Sequence, residues 1–238
     1  MTVSTESDQA KLLNSIELSV VRRPLGDVGR VRDVSVSDET LNATIELGFP
    51  CESAHETIRS DIDAALRAER GLKAGDIVLT TRITRHGVQR NLKPIPGVKN
   101  LIAIASGKGG VGKSTVAANL ALALSAEGAS VGVLDADIYG PSQPQMLGLV
   151  GKVPETEDGK TMLPLRAYNL QVMSMGALVD ADQPMVWRGP MVTSALNQLA
   201  TQTKWEDLDY LIVDMPPGTG DIQLTLAQQI PVSGSVIV

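Results

Sequence analysis

Gly107-Lys108-Gly109-Gly110-Val111-Gly112-Lys113-Ser114, followed by Thr115, is the stretch from which the fold can be read. It fits the pattern G-x-x-x-x-G-K-[ST] of a phosphate-binding loop. The apolar run Leu101–Ala105 precedes it without alternation, as suits a strand buried on both faces. A helical run from Lys113 to about Glu127 follows it. Glycines allow successive N–H groups to turn inward around phosphate oxygens, and the helix N-terminus adds its partial positive charge. Residues Gly107–Thr115 are therefore the expected contacts of ATP with magnesium, and hydrolysis is the expected reaction. Lys113 is expected to reach the β- and γ-phosphates, Ser114 to ligate magnesium, and Thr115 to bond a phosphate oxygen. Lys108 is a second lysine inside the loop. On the residues alone it stays open between a solvated surface charge and a functional cation.

Further strands are expected at Val131–Leu134, Leu170–Met173, Tyr210–Val213 and Ser235–Val238, with helices at Pro190–Thr203 and Ile222–Gln229. Strands alternating with helices imply a parallel, doubly wound α/β sheet. Ligands of such sheets sit beyond the carboxyl ends of the strands, and two strands here end in aspartate. Asp135-Ala136-Asp137 closes one of them. Two carboxylates in that position can hold the water shell of magnesium and orient an attacking water; a strand-end turn or helix cap is the other reading. Tyr210-Leu211-Ile212-Val213-Asp214 is an apolar strand of Walker B type, and Asp214 is expected to hold a magnesium-bound water. Met215-Pro216-Pro217-Gly218-Thr219-Gly220-Asp221 then reads as a loop that senses hydrolysis, with the Gly218 N–H offered to the γ-phosphate. Asp221 reads as the cap of the next helix.

The first 84 residues have a different rhythm. Helical spacing is expected over Ser7–Ser19. Val31–Val36 and Leu41–Leu47 alternate about a turn at Ser37–Thr40, a hairpin signal. Ala54–Arg70 places Ile58, Ile62, Ala65 and Leu66 on one helical face and ends at Gly71. Ile77–Arg82 alternates again. The expected organisation is a small α/β domain over 1–84, a linker rich in Gly, Pro and basic residues over 85–98, and the phosphate-binding domain over 99–238.

The 238 residues carry a net charge of −6, which divides as −1 over residues 1–98 and −5 over 99–238. Neither part has the basic excess of a nucleic-acid binder. No apolar run is long enough to span a bilayer, and Met1–Lys11 lacks a signal-peptide pattern, so neither a membrane nor a nucleic acid is an expected partner. One cysteine, Cys51, excludes an intramolecular disulfide and suits a reducing, cytoplasmic compartment. Cys51 follows Phe49-Pro50 at a strand-to-helix junction, where a helix N-terminus lowers a thiol pKa; an ordinary half-buried cysteine is the other reading. His55 and His86 lack metal-ligand spacing and read as surface residues.

Lys108-Gly-Gly-Val-Gly-Lys113-Ser114 resembles the deviant Walker A ATPases, the class of MinD, ParA and the nitrogenase iron protein. That resemblance implies that Lys108 reaches across a homodimer to the partner's nucleotide, that Asp137 positions the attacking water, and that Asp135 supports the magnesium side. Asp135-Ala-Asp-Ile-Tyr-Gly-Pro-Ser142, Trp187-Arg-Gly-Pro-Met191 and Asp214-Met-Pro-Pro-Gly-Thr-Gly-Asp221 together resemble the Mrp/ApbC iron–sulfur cluster carriers over nearly all of Lys99–Val238. The first domain is similar to the small iron–sulfur-assembly domain that precedes many of them, although Arg22-Arg23-Pro24-Leu25 stands where an Asp-Pro-Glu-like motif is usual. The resemblance implies an iron–sulfur cluster as cargo, with apoprotein clients and assembly factors as partners. In that family the cluster sits on a Cys-x-x-Cys further along, which does not occur in this chain; the ATPase domain accordingly reads as truncated at its C-terminal end. The competing reading is a MinD/ParA-like positioning or assembly switch. Trp187–Met191 stays open between a helix entry at Pro190 and a contact made by Arg188.

Overall fold

The computed structural model describes residues 3–87, 92–138, 140–177, 189–218 and 228–238. The chain divides into two compact units, Met1–Thr84 and Arg85–Val238. Tyr139, Trp187, Arg188, Thr219, Gly220 and Asp221, and most of the predicted helix Ile222–Gln229, lie outside the described residues.

In the first unit helix α1 covers Val3–Ser15, four residues earlier than the predicted Ser7–Ser19. Ile16 and Leu18 continue the apolar pattern, but they enter the core from a connection rather than from a helix. That connection is a ribbon of β1 (Glu17–Leu18) and β2 (Arg23–Pro24), followed by the single helical turn α2 (Leu25–Val28). Such short elements leave no period to read. Arg23 and Pro24 thus serve as a strand, and Leu25 is fully buried.

Strands β3 (Gly29–Ser37) and β4 (Thr40–Leu47) form the expected antiparallel hairpin. Its two-residue turn, Asp38-Glu39, has both φ angles positive, at 48° and 61°, the hand that matches strand twist. Along β4 every second side chain, Leu41, Ala43, Ile45 and Leu47, is buried. A 3-10 turn (Glu52–Ala54) leads into α3 (His55–Arg70), whose Ile58, Ile62 and Leu66 pack on that face. Gly71 closes α3 with φ 65°. Strand β5 (Lys73–Thr81) returns parallel to β4, so the order is β3-β4-β5.

The second unit runs β6 (Val98–Ala105), α4 (Lys113–Ala126), β7 (Val131–Asp135), α5 (Gln143–Met146), β8 (Leu165–Ala167), β9 (Leu170–Ser174), α6 (Gly189–Gln202), β10 (Leu208–Asp214) and β11 (Gly234–Ile237). The six strands lie in the order β11-β6-β10-β7-β9-β8. Five are parallel, as expected; β8 joins antiparallel to β9 at the edge. The β8–β9 turn, Tyr168-Asn169, takes φ 50° and 63° without a glycine, which is why the residues alone did not mark it.

The near-continuous apolar strands have a direct cause, since both faces of the sheet are covered. On β10, Leu211 and Val213 join Leu196 and Leu199 of α6 in one core. Ile212, between them, joins Ala117 and Ala121 of α4 in the other. Burial on both sides removes the alternation an exposed face would impose.

Gly97 enters β6 with φ 72°, and a Cβ built there would stand 2.1 Å from the Trp205 carbonyl oxygen. Trp205 is held in turn by its Nε1–H, which donates to Ala200 O at 2.9 Å. Gly97→Ala therefore combines left-handed strain with a backbone clash, an expected loss of about 2–5 kcal/mol. Denaturant unfolding followed at the tryptophans measures it, and an unchanged midpoint would contradict the packing described.

Candidate functional site: the phosphate loop and two strand-end aspartates

Parallel register brings the site together. Asp214 at the end of β10 pairs with Ile104 of β6 on one side and with Asp135 of β7 on the other. Asp135 pairs with Ser174 at the end of β9. Residues far apart in sequence thus end side by side at the carboxyl edge of the sheet, where α/β folds bind ligands.

The loop Gly107–Gly112 crosses above this edge and is exposed throughout. Gly110 and Gly112 have φ 76° and 92°, a conformation that L side chains resist, and a Cβ at Gly109, Gly110 or Gly112 would meet only open space. The loop main chain is therefore clear of neighbouring side chains, as an anion cradle requires. Gly112 precedes the first turn of α4, and Val116 N–H already donates to its carbonyl at 2.9 Å. Ser114 is half-buried and Thr115 exposed on that turn. Val111 and Lys108 project from the loop, and among the described residues no salt bridge engages Lys108. Ser106 Oγ–H donates to Lys108 O at 2.9 Å and fixes the loop's first bend.

Lys113 does not project into the loop. It is 6% exposed and forms an ion pair with Oδ1 of Asp214, which is fully buried. Asp214 Oδ2 accepts from Gln143 Nε2 at 2.9 Å. Gly218, at φ 113°, donates its N–H to Ser106 O at 2.9 Å, so a phosphate would take that donor by exchange. Asp137 is 7% exposed; its N–H donates to Asp135 Oδ1 at 3.1 Å, and its Oδ1 accepts from Gly140 N–H at 3.2 Å.

Asp135 is completely buried. Its Oδ2 accepts from Gln143 N–H at 3.0 Å and from Ser174 Oγ–H at 3.3 Å. Burial pushes its carboxyl from the ordinary 3.8 up to about 7; the Gln143 N–H bond opposes the rise, and the negative Asp214 reinforces it. Between about pH 4 and about 7 the ligand-free folded protein then holds a proton that the unfolded chain has released. Stability is expected to fall as pH rises through that window, by up to ~1.4 kcal/mol per pH unit from this group. Asp135→Asn should lose that component of the slope. Unfolding at several pH values between about 4.5 and 7.5 gives the comparison; identical slopes in both proteins would count against it.

Sequence reasoning missed Gln143 and Ser174, the side chains that fasten the two aspartates. Neither belongs to a motif by residue type. The one available signal was position: Ser174 ends β9, and Gln143 opens the helix that follows β7. Cys51, read at the junction, sits ahead of the 3-10 turn and is 4% exposed. His55 requires a correction: it is half-buried, not a surface residue, because α3 packs its first turn into the unit, and its Nε2 meets no hydrogen-bond partner among the described residues. His86 is exposed but fastened, with Nδ1 2.9 Å from Asn100 Oδ1. Among the described residues no three His, Cys, Asp or Glu side chains gather as a metal-binding cluster, and no helix is long and apolar enough to cross a membrane. A cavity of about 670 Å³ over β3 and β4 is bordered by Arg32, Asp33, Asn42 and Asp76, but by none of the predicted site residues.

A glycine loop between a buried parallel strand and a helix, with strand-end aspartates beneath its lysine, defines a P-loop NTPase site. Residues 97–238 match the ParA family described as NUBPL iron-transfer P-loop NTPase, and the chain belongs to that family. It is 48% identical over 229 residues to the iron-sulfur cluster carrier protein of Escherichia coli strain K12, an alignment covering 96% of this chain and 62% of that protein. It is 56% identical over 160 residues to the iron-sulfur cluster transfer protein NUBPL of Mus musculus, covering 66% of this chain and 50% of that one. The chain thus spans less than two thirds of the length of these relatives. Among solved structures it resembles a nucleotide-binding protein from Archaeoglobus fulgidus in complex with ADP, with 38% identity and a TM-score of 0.52 over 60% of this chain and 54% of the other.

Proposed function

We propose that the chain binds ATP with magnesium, hydrolyses the ATP, and uses the cycle to assemble or transfer iron–sulfur clusters to apoproteins, working as a cytoplasmic homodimer. The observation that carries the reading is the joint placement of the glycine loop, Lys113 and the buried pair Asp135–Asp214 at one sheet edge. The names of the relatives supply the cargo.

Magnesium fits the residues present. The donors are hard oxygens, namely the Ser114 hydroxyl and two carboxylates, and a buried acceptor, Gln143 Oε1, has no partner among the described residues. Bound there with the nucleotide, the ion would neutralise charge on the β- and γ-phosphates. Ser114 would hold it directly, and Asp135 and Asp214 through water. The cradle Gly107–Gly112 would orient the phosphates with main-chain N–H groups, Thr115 would bond one phosphate oxygen, and Lys113 would leave Asp214 for the β- and γ-phosphates. Asp137 would accept a hydrogen bond from the attacking water and aim it at the γ-phosphorus. Gly218 would trade Ser106 O for a γ-phosphate oxygen, so that release of phosphate resets the loop behind it.

The cluster is cargo, and thiolates are its usual ligands. Cys51 is this chain's single thiol, so the chain alone is expected to retain no stable cluster. The test has two parts. Magnesium-dependent ATP turnover is measured on this chain. Delivery of a reconstituted cluster to an apoprotein, under anaerobic conditions, is measured on a protein of the relatives' full length carrying this sequence. Turnover without nucleotide-dependent delivery would remove the carrier role, and absence of turnover would remove the ATPase. A stoichiometric cluster on this chain, lost in Cys51→Ser, would move the cargo site to the first unit.

A further inference from the structure

Gln143 is fully buried, and two of its four polar atoms are committed within the phosphate site. Its N–H donates to Asp135 Oδ2 at 3.0 Å. Its Nε2 donates to Asp214 Oδ2 at 2.9 Å and to the Ser114 carbonyl at 3.0 Å. Both Nε2 partners can only accept, so the amide cannot be turned over, and Oε1 is fixed as the remaining acceptor. That Oε1 is buried and has no hydrogen-bond partner among the described residues. An unsatisfied buried acceptor costs about 1–3 kcal/mol, and a native fold keeps such a group where a ligand or water satisfies it.

One side chain therefore ties together the first turn after the glycine loop, the strand-end Asp135 and the strand-end Asp214. It also leaves Asp214 Oδ1 to Lys113 alone. When Lys113 turns to phosphate, Gln143 keeps Asp214 in place by the other oxygen.

We propose that Gln143 is a positioning residue of the nucleotide site: its Nε2 fixes Asp214 and the Ser114 carbonyl, and its Oε1 accepts a hydrogen bond from a water in the shell of the divalent cation bound with the nucleotide. This rests on the nucleotide reading above and adds a residue to it. The role requires both ends of the amide, the donor to hold the carboxylate and the acceptor to hold the water.

The test reads metal affinity rather than turnover. Mn²⁺ replaces Mg²⁺, and free Mn²⁺ is followed by its electron paramagnetic resonance signal while the ion is titrated into the ADP complex. Nucleotide affinity is measured separately by calorimetry in chelator. Gln143→Leu is expected to weaken Mn²⁺ binding to the ADP complex about tenfold, a larger loss than any it causes in metal-free ADP affinity. Gln143→Glu keeps an acceptor and is expected to hold Mn²⁺ more tightly than Gln143→Leu. The glutamate also sets a second negative charge beside Asp214, which by itself attracts a divalent cation, so the decisive comparison is wild type against the apolar variants. Gln143→Met, an unbranched apolar replacement, carries the comparison if Gln143→Leu does not fold. Mn²⁺ affinity equal to wild type in the apolar variants, or weaker in Gln143→Glu than in Gln143→Leu, overturns the role of Gln143. A folded wild type that takes up neither ADP nor Mn²⁺ overturns the nucleotide reading itself.

Discussion

Lys113→Ala is expected to lower ATP affinity by on the order of 10²–10⁴ and to abolish turnover. The estimate counts two charge-assisted hydrogen bonds to the β- and γ-phosphates at about 1.5–3 kcal/mol each. The same lysine neutralises Asp214, so the substitution also strands a buried carboxylate. Breaking such a pair from one side costs about 3–5 kcal/mol of stability. The two effects separate in the double variant Lys113→Ala/Asp214→Asn. It removes the stranded charge and is expected to regain most of the stability while regaining none of the ATP affinity. Calorimetric titration with ATP alongside denaturant unfolding reads both quantities. Unchanged ATP affinity in a folded Lys113→Ala protein would place the phosphates elsewhere.

Lys108→Ala is expected to leave ATP binding nearly intact and to slow hydrolysis. Lys108 is exposed, and no salt bridge among the described residues engages it. An exposed cation without an ion-pair partner among the described residues is free to serve the phosphates of a second subunit. A cation supplied across an interface is worth up to ~10³–10⁵ in rate for an arginine finger, and a smaller factor is expected here because lysine lacks the planar fork. Mixing provides the test. Asp137→Ala should bind ATP yet hydrolyse it poorly, for want of an oriented water. A heterodimer of Lys108→Ala with Asp137→Ala contains one site with both an intact Asp137 and the partner's intact Lys108, so activity should partly return. No rescue at any mixing ratio would place Lys108 in cis or outside the reaction.

The phosphate loop and the two strand-end aspartates were legible because their chemistry is tied to local spacing. Glycines must sit where φ turns positive, and a carboxylate must follow the last core residue of a strand. Gln143 was not legible, because its meaning comes from Asp214, which is distant in sequence and adjacent only through sheet register. The β8–β9 hairpin escaped notice because Tyr168 and Asn169 take a conformation usually marked by glycine. In the first unit the alternation of β4 and the face of α3 could be read, whereas β1, β2 and α2 were too brief to carry a period. His55 misled for a related reason, since isolation in sequence says nothing of what a helix's first turn packs against.

The ion pair between Lys113 and Asp214 gives each charge a counter-ion from within the protein. On the function proposed above, phosphates would draw the lysine away from that carboxylate, and a cation would draw the carboxylate away from the lysine. Each ligand performs half of the separation the other requires, so binding the first makes the second easier. Reciprocity then requires that nucleotide raise metal affinity by the same factor by which metal raises nucleotide affinity. Either ligand alone meets a competitor already seated in the protein, and the two together replace it with a pairing of their own. On that reading the site responds to the product of two concentrations and favours phosphate compounds that arrive with a cation.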